Sequence, residues 1–464
     1  MPDTTSASKS PEKAAKSRAQ AITTPALTAA SRQLRSSFEG LFGARIGRLL
    51  ARVGRTAAPE KGEGLLDLAG ALLSLRGRAS GPALASAFLD RYEASDLAER
   101  HAFLAALHGA FPRDDAAIDV AIAHWQGKRD EASAAALAEA AEAPCAKLLR
   151  MLNLAPGGTR RLIAMRADLL GASDASGGKL TGGMKDLDRG FEDAFAEWFN
   201  AGFLELRRID WTTPAAVLEH IIRYEAVHEI HGWADLRRRV EPVDRRCYAF
   251  FHPQMTDDPL IFVEVALTAE LPSAIAQIIA EDRPLLDPRE VSHAIFYSIS
   301  NCQEGLRGIP FGNFLIKQVV GLLKAELPQL RRFATLSPVP GFAKWLAKQE
   351  GGETGAESGV VALDGLPAAC ARYIVEGRDK RGQVLDPVAR FHLGNGARLE
   401  AVHGAGDLSD KGQRQSHGVM VNYLYDLDEI EANHVRLFEL DQVAASPAVQ
   451  ELLGPVATAS KRKS

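Results

Sequence analysis

The fold is decided by AIFYSISNCQEGLRGIPFGNFLIKQVVGLLKAELPQLRRFATLSPVPGFAKWLA, residues Ala294–Ala347. Its first part, Ala294–Ile299, is apolar, β-branched and aromatic, which predicts a buried strand. A loop with glycines follows at Gly305–Gly312, and apolar residues then recur at steps of three and four from Phe311 to Leu327, which predicts a helix. Phe333–Leu336 predicts a second strand. A strand, a glycine loop and a helix in this order direct backbone N–H groups and the positive end of the helix toward a phosphate.

The loop between this strand and helix supplies the candidate phosphate-binding residues. They are consecutive in the chain: Arg307, Gly308, Ile309, Pro310, Phe311, Gly312 and Asn313. Arg307 would add a planar fork of donors to the same anion. A loop with two glycines is a weak signal when it stands alone, and a tight turn without a ligand is the alternative. Its position between a strand and a helix favours a pyrophosphate.

Composition and charge exclude several classes of protein. The chain has 464 residues, of which 46% are hydrophobic and 25% charged, so we expect a globular protein with two domains. A net charge of −4 does not suggest a nucleic-acid partner. The sequence has no apolar run of about 18 residues, so we expect no membrane span. The 4 cysteines lie far apart without a CxxC pair, which fits a reducing compartment and gives no zinc site.

The amino-terminal part of the chain predicts a basic tail followed by a helical bundle. The first 55 residues hold ten Lys/Arg and three Asp/Glu. We interpret 1–32 as a disordered basic tail; a mitochondrial transit peptide is the alternative. Alanine- and leucine-rich amphipathic segments over 33–195 predict a helical bundle, with a loop at Gly171–Gly190. These segments are Leu41–Val53, Gly64–Leu75, Pro82–Leu97, Glu99–Ala110, Ala116–Trp125 and Arg129–Ala141.

From residue 196 to residue 455 the pattern changes to alternating strands and helices. Apart from the two strands of the opening stretch, the strand candidates are Cys247–Phe251, Leu260–Thr268, Ala397–His403 and Gly418–Tyr425. Helices are predicted between them at Pro214–Tyr224, Pro272–Ile279 and Gly341–Lys348. Mixed strands and helices after a helical bundle predict an α+β protein with two domains. We expect a mobile loop at Glu350–Gly359 and a disordered tail at 456–464.

Two polar residues near predicted strand ends are candidates for chemistry. Ser337 follows a strand and is flanked by Pro338 and Pro340, which restrict the backbone around its hydroxyl. His392 lies in RFHLGNG, which we interpret as a strand end with a glycine turn, and histidine can deliver a proton near neutral pH. A turn-forming serine and a structural histidine are the alternatives that the residue pattern leaves open.

Three other clusters give no functional prediction. His228 and His231 lack the spacing of the zinc-binding HExxH motif. His403 and His417 flank a polar loop that would bind a metal only by accident. Arg237–Arg239 is interpreted as a solvated helix end. We therefore expect no metal.

The sequence resembles the malonyl-CoA decarboxylase family in a series of short motifs spread over about 146–425. The most specific are FYSIS (Phe296–Ser300), GNFLIKQVV (Gly312–Val320), LSPVPGF (Leu336–Phe342), FHLGNGA (Phe391–Ala397) and MVNYLY (Met420–Tyr425). Several such motifs in the same order are stronger evidence than any one of them. The resemblance implies a helical amino-terminal domain and a catalytic domain of the acetyltransferase-like GNAT fold.

The resemblance also implies roles for individual residues. The loop after the fourth strand would bind the CoA pyrophosphate by a pattern like Arg/Gln-x-x-Gly-x-Gly/Ala. Arg307 and Gly312 fit this pattern, whereas Pro310 replaces the usual middle glycine and lacks an N–H. Family members often carry an acidic residue at this position. The catalytic serine would be Ser337 and the catalytic histidine His392.

The implied reaction converts malonyl-CoA into acetyl-CoA and carbon dioxide through an enolate. Backbone N–H groups beside Phe296–Asn301 would stabilise the thioester oxygen, and His392 would supply the proton. Ser337 would hydrogen-bond the malonyl group, and Tyr425 would be a supporting residue. No metal or organic cofactor is expected, because the thioester itself takes up the electron pair.

Two other functions remain open at this point. One is an acyl-CoA-dependent N-acyltransferase of the GNAT fold, and the other is a non-catalytic protein that binds CoA thioesters or serves in assembly. We expect a homo-oligomer, a dimer or tetramer, formed through the helical domain. We also expect a cytoplasmic protein, or a mitochondrial one if the basic tail is a transit peptide.

Overall fold

The computed structural model describes residues 63–74, 81–175, 180, 182–200, 202–309, 313–350 and 365–454. From Leu68 onward the described residues belong to one compact unit. The predicted helix Leu41–Val53, most of the predicted mobile loop and both tails lie outside the described residues. No helix within the described ranges is long and apolar enough to cross a membrane.

The described chain before residue 200 is helical, as predicted. Its helices are α1 (Glu63–Ser74), α2 (Gly81–Ala94), α3 (Leu97–Ala110), α4 (Asp115–Lys128), α5 (Glu131–Ala141), α6 (Pro144–Leu152), α7 (Gly158–Ala175) and α8 (Gly183–Trp198). An aspartate directly precedes each of α3, α4 and α5, and its carboxylate accepts the backbone N–H three residues further along the chain. These N-cap residues are Asp96, Asp114 and Asp130. These caps satisfy N–H groups that the first helical turn leaves unpaired.

The predicted loop Gly171–Gly190 is mostly wrong. Helix α7 continues to Ala175 and α8 already begins at Gly183. In α8, Leu187, Phe191 and Phe195 recur every four residues and are all fully buried. Burial of these side chains outweighs the roughly 1 kcal/mol that a glycine costs inside a helix.

From residue 202 onward the described residues contain an eight-stranded mixed sheet. Its strands are β1 (Glu205–Ile209), β2 (Arg245–Phe251), β3 (Ile261–Thr268), β4 (His293–Asn301), β5 (Arg332–Thr335), β6 (Ser337–Pro338), β7 (Arg398–His403) and β8 (Met420–Tyr425). The order is β1-β2-β3-β4-β5-β8-β6, and β7 also pairs with β8. Among the strands of the described residues, β4 and β5 pair in parallel and the other neighbouring strands pair antiparallel. A helical region followed by a mixed sheet confirms the predicted fold class.

Helices pack on this sheet and connect its strands. They are α9 (Ala215–Tyr224), α10 (Trp233–Val240), α11 (Ala276–Ile279), α12 (Asn313–Glu326), α13 (Phe342–Glu350), α14 (Leu366–Glu376), α15 (Pro387–Gly394), α16 (Asp410–Ser416), α17 (Ile430–Leu440) and α18 (Pro447–Leu453). Ile221 of α9 and Leu236 of α10 join Cys247, Ala249 and Phe262 of the sheet in one buried cluster. The strands predicted from the sequence are present as β2, β3, β4, β5, β7 and β8, with ends shifted by one or two residues.

The sheet opens between β4 and β5. Their parallel pairing covers only His293–Phe296 opposite Arg332–Thr335, and β4 then continues to Asn301 without β5 beside it. The register between β3 and β4 shifts where Glu264 faces Ser298 and Val265 faces Phe296, which leaves Tyr297 as the extra residue of a β-bulge. The opening lies at the carboxyl ends of two parallel strands, where ligands bind in sheets with parallel strands.

Candidate functional site

Ser337 lies at the point where β5 gives way to β6. Leu336 still bonds to β4 through its N–H and the Phe296 carbonyl, at 3.1 Å. Ser337 then pairs with Val421 of β8. Because β5 already pairs with β8, the chain keeps this neighbour through Ser337 while it leaves β4. Pro338 restrains the backbone at the edge of the opening because proline fixes its own φ. The Ser337 side chain is buried there.

His392 lies on a helix, so its prediction as a strand end is wrong. Helix α15 begins after Asp386, whose side chain accepts the N–H groups of Val388 and Ala389, and Pro387 occupies its first turn. Aspartate before proline is a helix-start signal that outweighs the glycines that follow. The helix buries His392 in its last turn, with an exposed fraction of 3%.

The structure brings Ser337 and His392 together. The Ser337 Oγ lies 3.3 Å from Nε2 of His392. On the other side of the ring, Nδ1 of His392 lies 2.8 Å from the Tyr425 hydroxyl. Tyr423 stacks on the imidazole with ring centroids 4.8 Å apart. The predicted proximity of these side chains is confirmed; their catalytic roles remain predictions.

Burial sets the protonation states of this group. Removal from water lowers the pKa of His392 to about 3, because the charged imidazolium loses its hydration. The same cause raises the pKa of Tyr425 well above its usual value. At neutral pH the imidazole is therefore uncharged and carries one proton, while the phenol keeps its own.

The ring proton of His392 can be assigned from the hydrogen-bond partners of the two nitrogens. The described residues offer the Tyr425 hydroxyl no acceptor besides Nδ1 of His392. We therefore assign the phenol as the donor to Nδ1, which places the ring proton on Nε2, facing Ser337. Ser337 donates in turn to Oγ1 of Thr335 at 2.8 Å. Thr335 Oγ1 also accepts the Tyr423 N–H at 3.2 Å, which anchors the chain of donors to β8.

The phosphate-binding candidates lie at the same edge of the sheet as Ser337, after the carboxyl end of β4. Residues Glu304–Leu306 form a 3-10 turn, and Arg307 and Gly308 follow it as exposed residues. Ile309 is buried. Asn313 begins helix α12. Pro310, Phe311 and Gly312 lie outside the described residues, so the consequence of Pro310 stays a prediction.

The histidines and the arginine run that gave no functional prediction can now be placed in the structure. His403 bonds to Asn422 Oδ1, and Nε2 of buried His228 has no partner in the described part of the chain. Among the described residues no group of three or more His, Cys, Asp or Glu could hold a metal ion. The solvated helix end predicted at Arg237–Arg239 is wrong for Arg239. That residue is buried and bonds to Glu264 at 3.2 Å.

Thr335 and Asp386 are part of the site but were not singled out in the sequence. Asp386 could have been found from the Asp-Pro pair before an amphipathic segment. Thr335 precedes Ser337 by two residues, so both side chains leave the same face of the chain. Nothing in the sequence distinguishes such a threonine from an ordinary strand residue.

Family models match most of the chain. One described as "Malonyl-CoA decarboxylase N-terminal domain" matches residues 111–199, and one described as "Malonyl-CoA decarboxylase C-terminal domain" matches 202–364 and 352–463. The crystal structure of malonyl-CoA decarboxylase from Rhodopseudomonas palustris is 48% identical, covers 85% of this chain and 100% of its own, and has a TM-score of 0.78. The corresponding structure from Agrobacterium vitis is also 48% identical, with 84% and 100% covered and a TM-score of 0.78. The mitochondrial malonyl-CoA decarboxylase of Anser anser anser is 36% identical over 346 residues, which are 65% of this chain and 68% of the relative.

Proposed function

The chain belongs to the malonyl-CoA decarboxylase family, and from this premise we propose that it converts malonyl-CoA into acetyl-CoA and carbon dioxide. The observation that carries the proposal is the 3.3 Å approach of Ser337 Oγ to Nε2 of His392 at the opening of the sheet. This pair sets a hydroxyl and an imidazole N–H beside the place where a thioester would lie between β4 and β5.

The substrate's CoA portion would run along the opening. Its diphosphate would meet the loop from Arg307 to Asn313 and the positive end of α12. The acyl end would then reach Ser337 and His392, because both the loop and Ser337 follow carboxyl ends of the parallel strands β4 and β5. Tyr297, the extra residue in the bulge, changes the direction of β4 next to this path.

Decarboxylation breaks the bond between the carboxylate and the methylene carbon, and carbon dioxide leaves. The electron pair moves onto the thioester and forms an enolate. Backbone N–H groups of Phe296–Asn301 would stabilise the oxygen as it gains charge. Ser337 would turn its O–H from Thr335 to the malonyl group and hold the carboxylate out of the thioester plane. The thioester accepts the electron pair, so we propose that no metal or organic cofactor takes part.

His392 would then protonate the enolate carbon. A neutral imidazole is a weak acid, so loss of its Nε2 proton needs compensation at the other nitrogen. Tyr425 can provide it, because its phenol already donates to Nδ1 at 2.8 Å. The Nε2 proton goes to carbon, the phenol proton goes to Nδ1, and the resulting tyrosinate is later protonated from solvent. This relay gives Tyr425 a role beyond orienting the ring.

The proposal is tested by incubating purified protein with malonyl-CoA alone and measuring released carbon dioxide and acetyl-CoA. Equal amounts of both products are expected. An N-acyltransferase would release no carbon dioxide without an acceptor, and a non-catalytic protein would bind the thioester without turnover. Either result would contradict the proposal.

We also propose that the protein self-associates through its helical region. In α4 and α5 only Ala121 and Ser133 are buried among the described residues. Val120 of α4 is 71% exposed and Ile122 is 37% exposed. Because so little of α4 and α5 is buried among the described residues and Val120 is largely exposed, we place the contact with a second copy on these two helices. Light scattering that gives only a monomer mass would contradict this, and a Val120→Asp variant should shift a dimer or tetramer toward monomer.

We propose that the protein is cytoplasmic. The alternative is the mitochondrion, to which the basic amino-terminal residues would direct the protein if they act as a transit peptide. The four cysteines are all free and buried, which fits a reducing environment. Imaging of the full chain fused at its carboxyl end to a fluorescent protein would test the compartment. Mitochondrial fluorescence that is lost on removal of residues 1–55 would instead favour a transit peptide.

A further inference from the structure

Arg166, on helix α7, connects the helical region to the loop after β4. The side chain is 1% exposed. Its Nη1 donates to the carbonyl oxygens of Gly305 and Arg307, at 2.9 Å each. A Cβ on Gly305 would collide with the carbonyl oxygen of Ile163, one turn before Arg166, so the loop and the helix are in direct backbone contact.

The guanidinium is fixed from its other side by two carboxylates of α8. Its Nε donates to Asp188 at 2.8 Å and its Nη2 to Glu192 at 3.3 Å. The two carboxylates more than balance its single positive charge, and its Nη1 is turned toward backbone carbonyls of the loop. Arg166 therefore acts on the orientation of the loop peptides, not as a charge that meets a phosphate.

The Arg166 contact determines where one N–H of the loop points. In a trans peptide the C=O and N–H groups point in opposite directions. Since Arg166 holds the Arg307 carbonyl, the N–H of Gly308 points away from α7. The neighbouring N–H groups of Leu306, Arg307 and Ile309 are already used in the turn, by Gln303, Glu304 and Leu306. Among the described residues no acceptor takes the Gly308 N–H.

Gly308 has a backbone conformation that suits this role. Its φ is +87°, a region that other residues rarely adopt, and it is exposed. A cradle for phosphate needs a backbone N–H that is both fixed and accessible. The Arg307–Gly308 peptide has both properties, and the fixing side chain comes from the helical region.

We propose that Arg166 is a positioning residue for the CoA diphosphate: it holds the Arg307–Gly308 peptide so that the Gly308 N–H meets the phosphate. This inference rests on the proposed function for the identity of the ligand. It gives the helical region a part in substrate binding in addition to self-association. It also explains why an arginine lies fully buried between two helices and a loop.

The test compares two thioesters, malonyl-CoA and malonyl-pantetheine, which lacks the diphosphate and the nucleotide. For Arg166→Lys we expect kcat/KM on malonyl-CoA to fall about tenfold, which corresponds to about 1.4 kcal/mol. Lysine keeps the charge but cannot hold two carbonyls as a planar fork does. The fall in kcat/KM should come from a higher KM for malonyl-CoA. With malonyl-pantetheine as substrate, kcat/KM should fall much less. Arg161→Gln is the matched control, since Arg161 lies on the same helix and pairs with Asp90 and Glu93 instead.

An equal loss on both thioesters would overturn the inference, because it would indicate general damage to the fold. No loss on malonyl-CoA would overturn it as well. Should Arg166→Lys fail to fold, Gly308→Ala perturbs the same peptide from its other side and should give the same selective loss. Calorimetric titration with CoA, with pantetheine as the control ligand, measures the effect without turnover. Weaker CoA binding in a protein that releases no carbon dioxide would keep this inference and reject the proposed function.

Discussion

Asp386 accepts the backbone N–H of Gly341 at 3.2 Å through its Oδ2. Its Oδ1 meanwhile accepts the N–H groups that open helix α15, at 2.9 and 3.0 Å. One buried carboxylate thus joins the segment four residues after Ser337 to the helix that carries His392. Burial raises the pKa of this carboxyl, and the N–H groups at the starts of α13 and α15 offset part of that effect.

Removal of this link should separate Ser337 from His392. For Asp386→Ala we expect a loss of about 1–2 kcal/mol in stability from the missing cap. We also expect kcat to fall by a larger factor than KM rises, because the distance between Ser337 and His392 is no longer fixed. Steady-state kinetics and urea unfolding measure the two effects. Asp114→Ala, which removes the cap of α4, should lose similar stability and keep kcat. If kcat fell in Asp114→Ala as well, the fall in Asp386→Ala could not be attributed to the distance between Ser337 and His392.

Ser337→Ala and His392→Asn should each lose most of the turnover. Loss of one donor aimed at a developing charge costs roughly 10²–10³ in rate. Neither residue belongs to the loop that would bind the diphosphate, so CoA affinity should stay near that of the wild type. Acetyl-CoA formation and CoA titration together check this. A variant with a near-wild-type rate would remove that residue from the mechanism.

Tyr425→Phe removes the phenol proton that the proposed relay requires. We expect a fall in kcat of about tenfold or more, since general acid–base groups contribute typically 10²–10⁴ and the imidazole itself remains. Tyr423→Phe is the matched control. It keeps the stacked ring and removes a hydroxyl that has no hydrogen-bond partner among the described residues. If both variants lose activity equally, the hydroxyl of Tyr425 has no special part.

The lowered pKa of His392 predicts a dependence of stability on pH. The folded-state pKa is about 3, whereas the unfolded chain titrates near 6.5. Between these values the unfolded chain binds the extra proton, so the free energy of unfolding falls as the pH falls below 6.5. At pH 5 the titration of His392 should lower the free energy of unfolding by on the order of 2 kcal/mol, at about 1.36 kcal/mol per pH unit. Urea unfolding of the wild type and His392→Asn at pH 7 and pH 5 measures this, and equal losses in both proteins would be inconsistent with a buried neutral imidazole.

The same neutral imidazole predicts the shape of the rate profile. The pH dependence of kcat/KM reports groups of the free enzyme. Since His392 is already uncharged well below pH 6, kcat/KM should show no inflection near 6.5 from this residue. A plateau between pH 5.5 and 7.5 is the expected result in a carbon dioxide assay. An inflection near 6.5 that disappears in His392→Asn would show that the ring titrates normally.

The sequence by itself determined the elements with strong periodicity. The apolar run Leu260–Thr268 predicts a strand, which the structure buries on both faces. The three- and four-residue steps of Phe311–Leu327 predict a helix, and both patterns can be read without knowledge of neighbours. Ser337 could likewise be identified as a candidate residue from the sequence, because a Ser-Pro pair after a strand is a local feature. The short motifs then pointed to a family, although no single one of them carries chemistry alone.

The tertiary structure alone decided how those elements meet. His392 was placed at a strand end because the glycines after it suggested a turn, whereas the Asp386 cap and burial against Tyr423 make the segment helical. Arg166 and Gly305 are 139 positions apart in the chain, and no local pattern announces a hydrogen bond between them. The lowered pKa of His392 likewise comes from the residues that exclude water around it. Contacts between distant segments, and the solvent exclusion that they cause, are properties of the folded chain, because local sequence constrains backbone shape but not which surfaces come together.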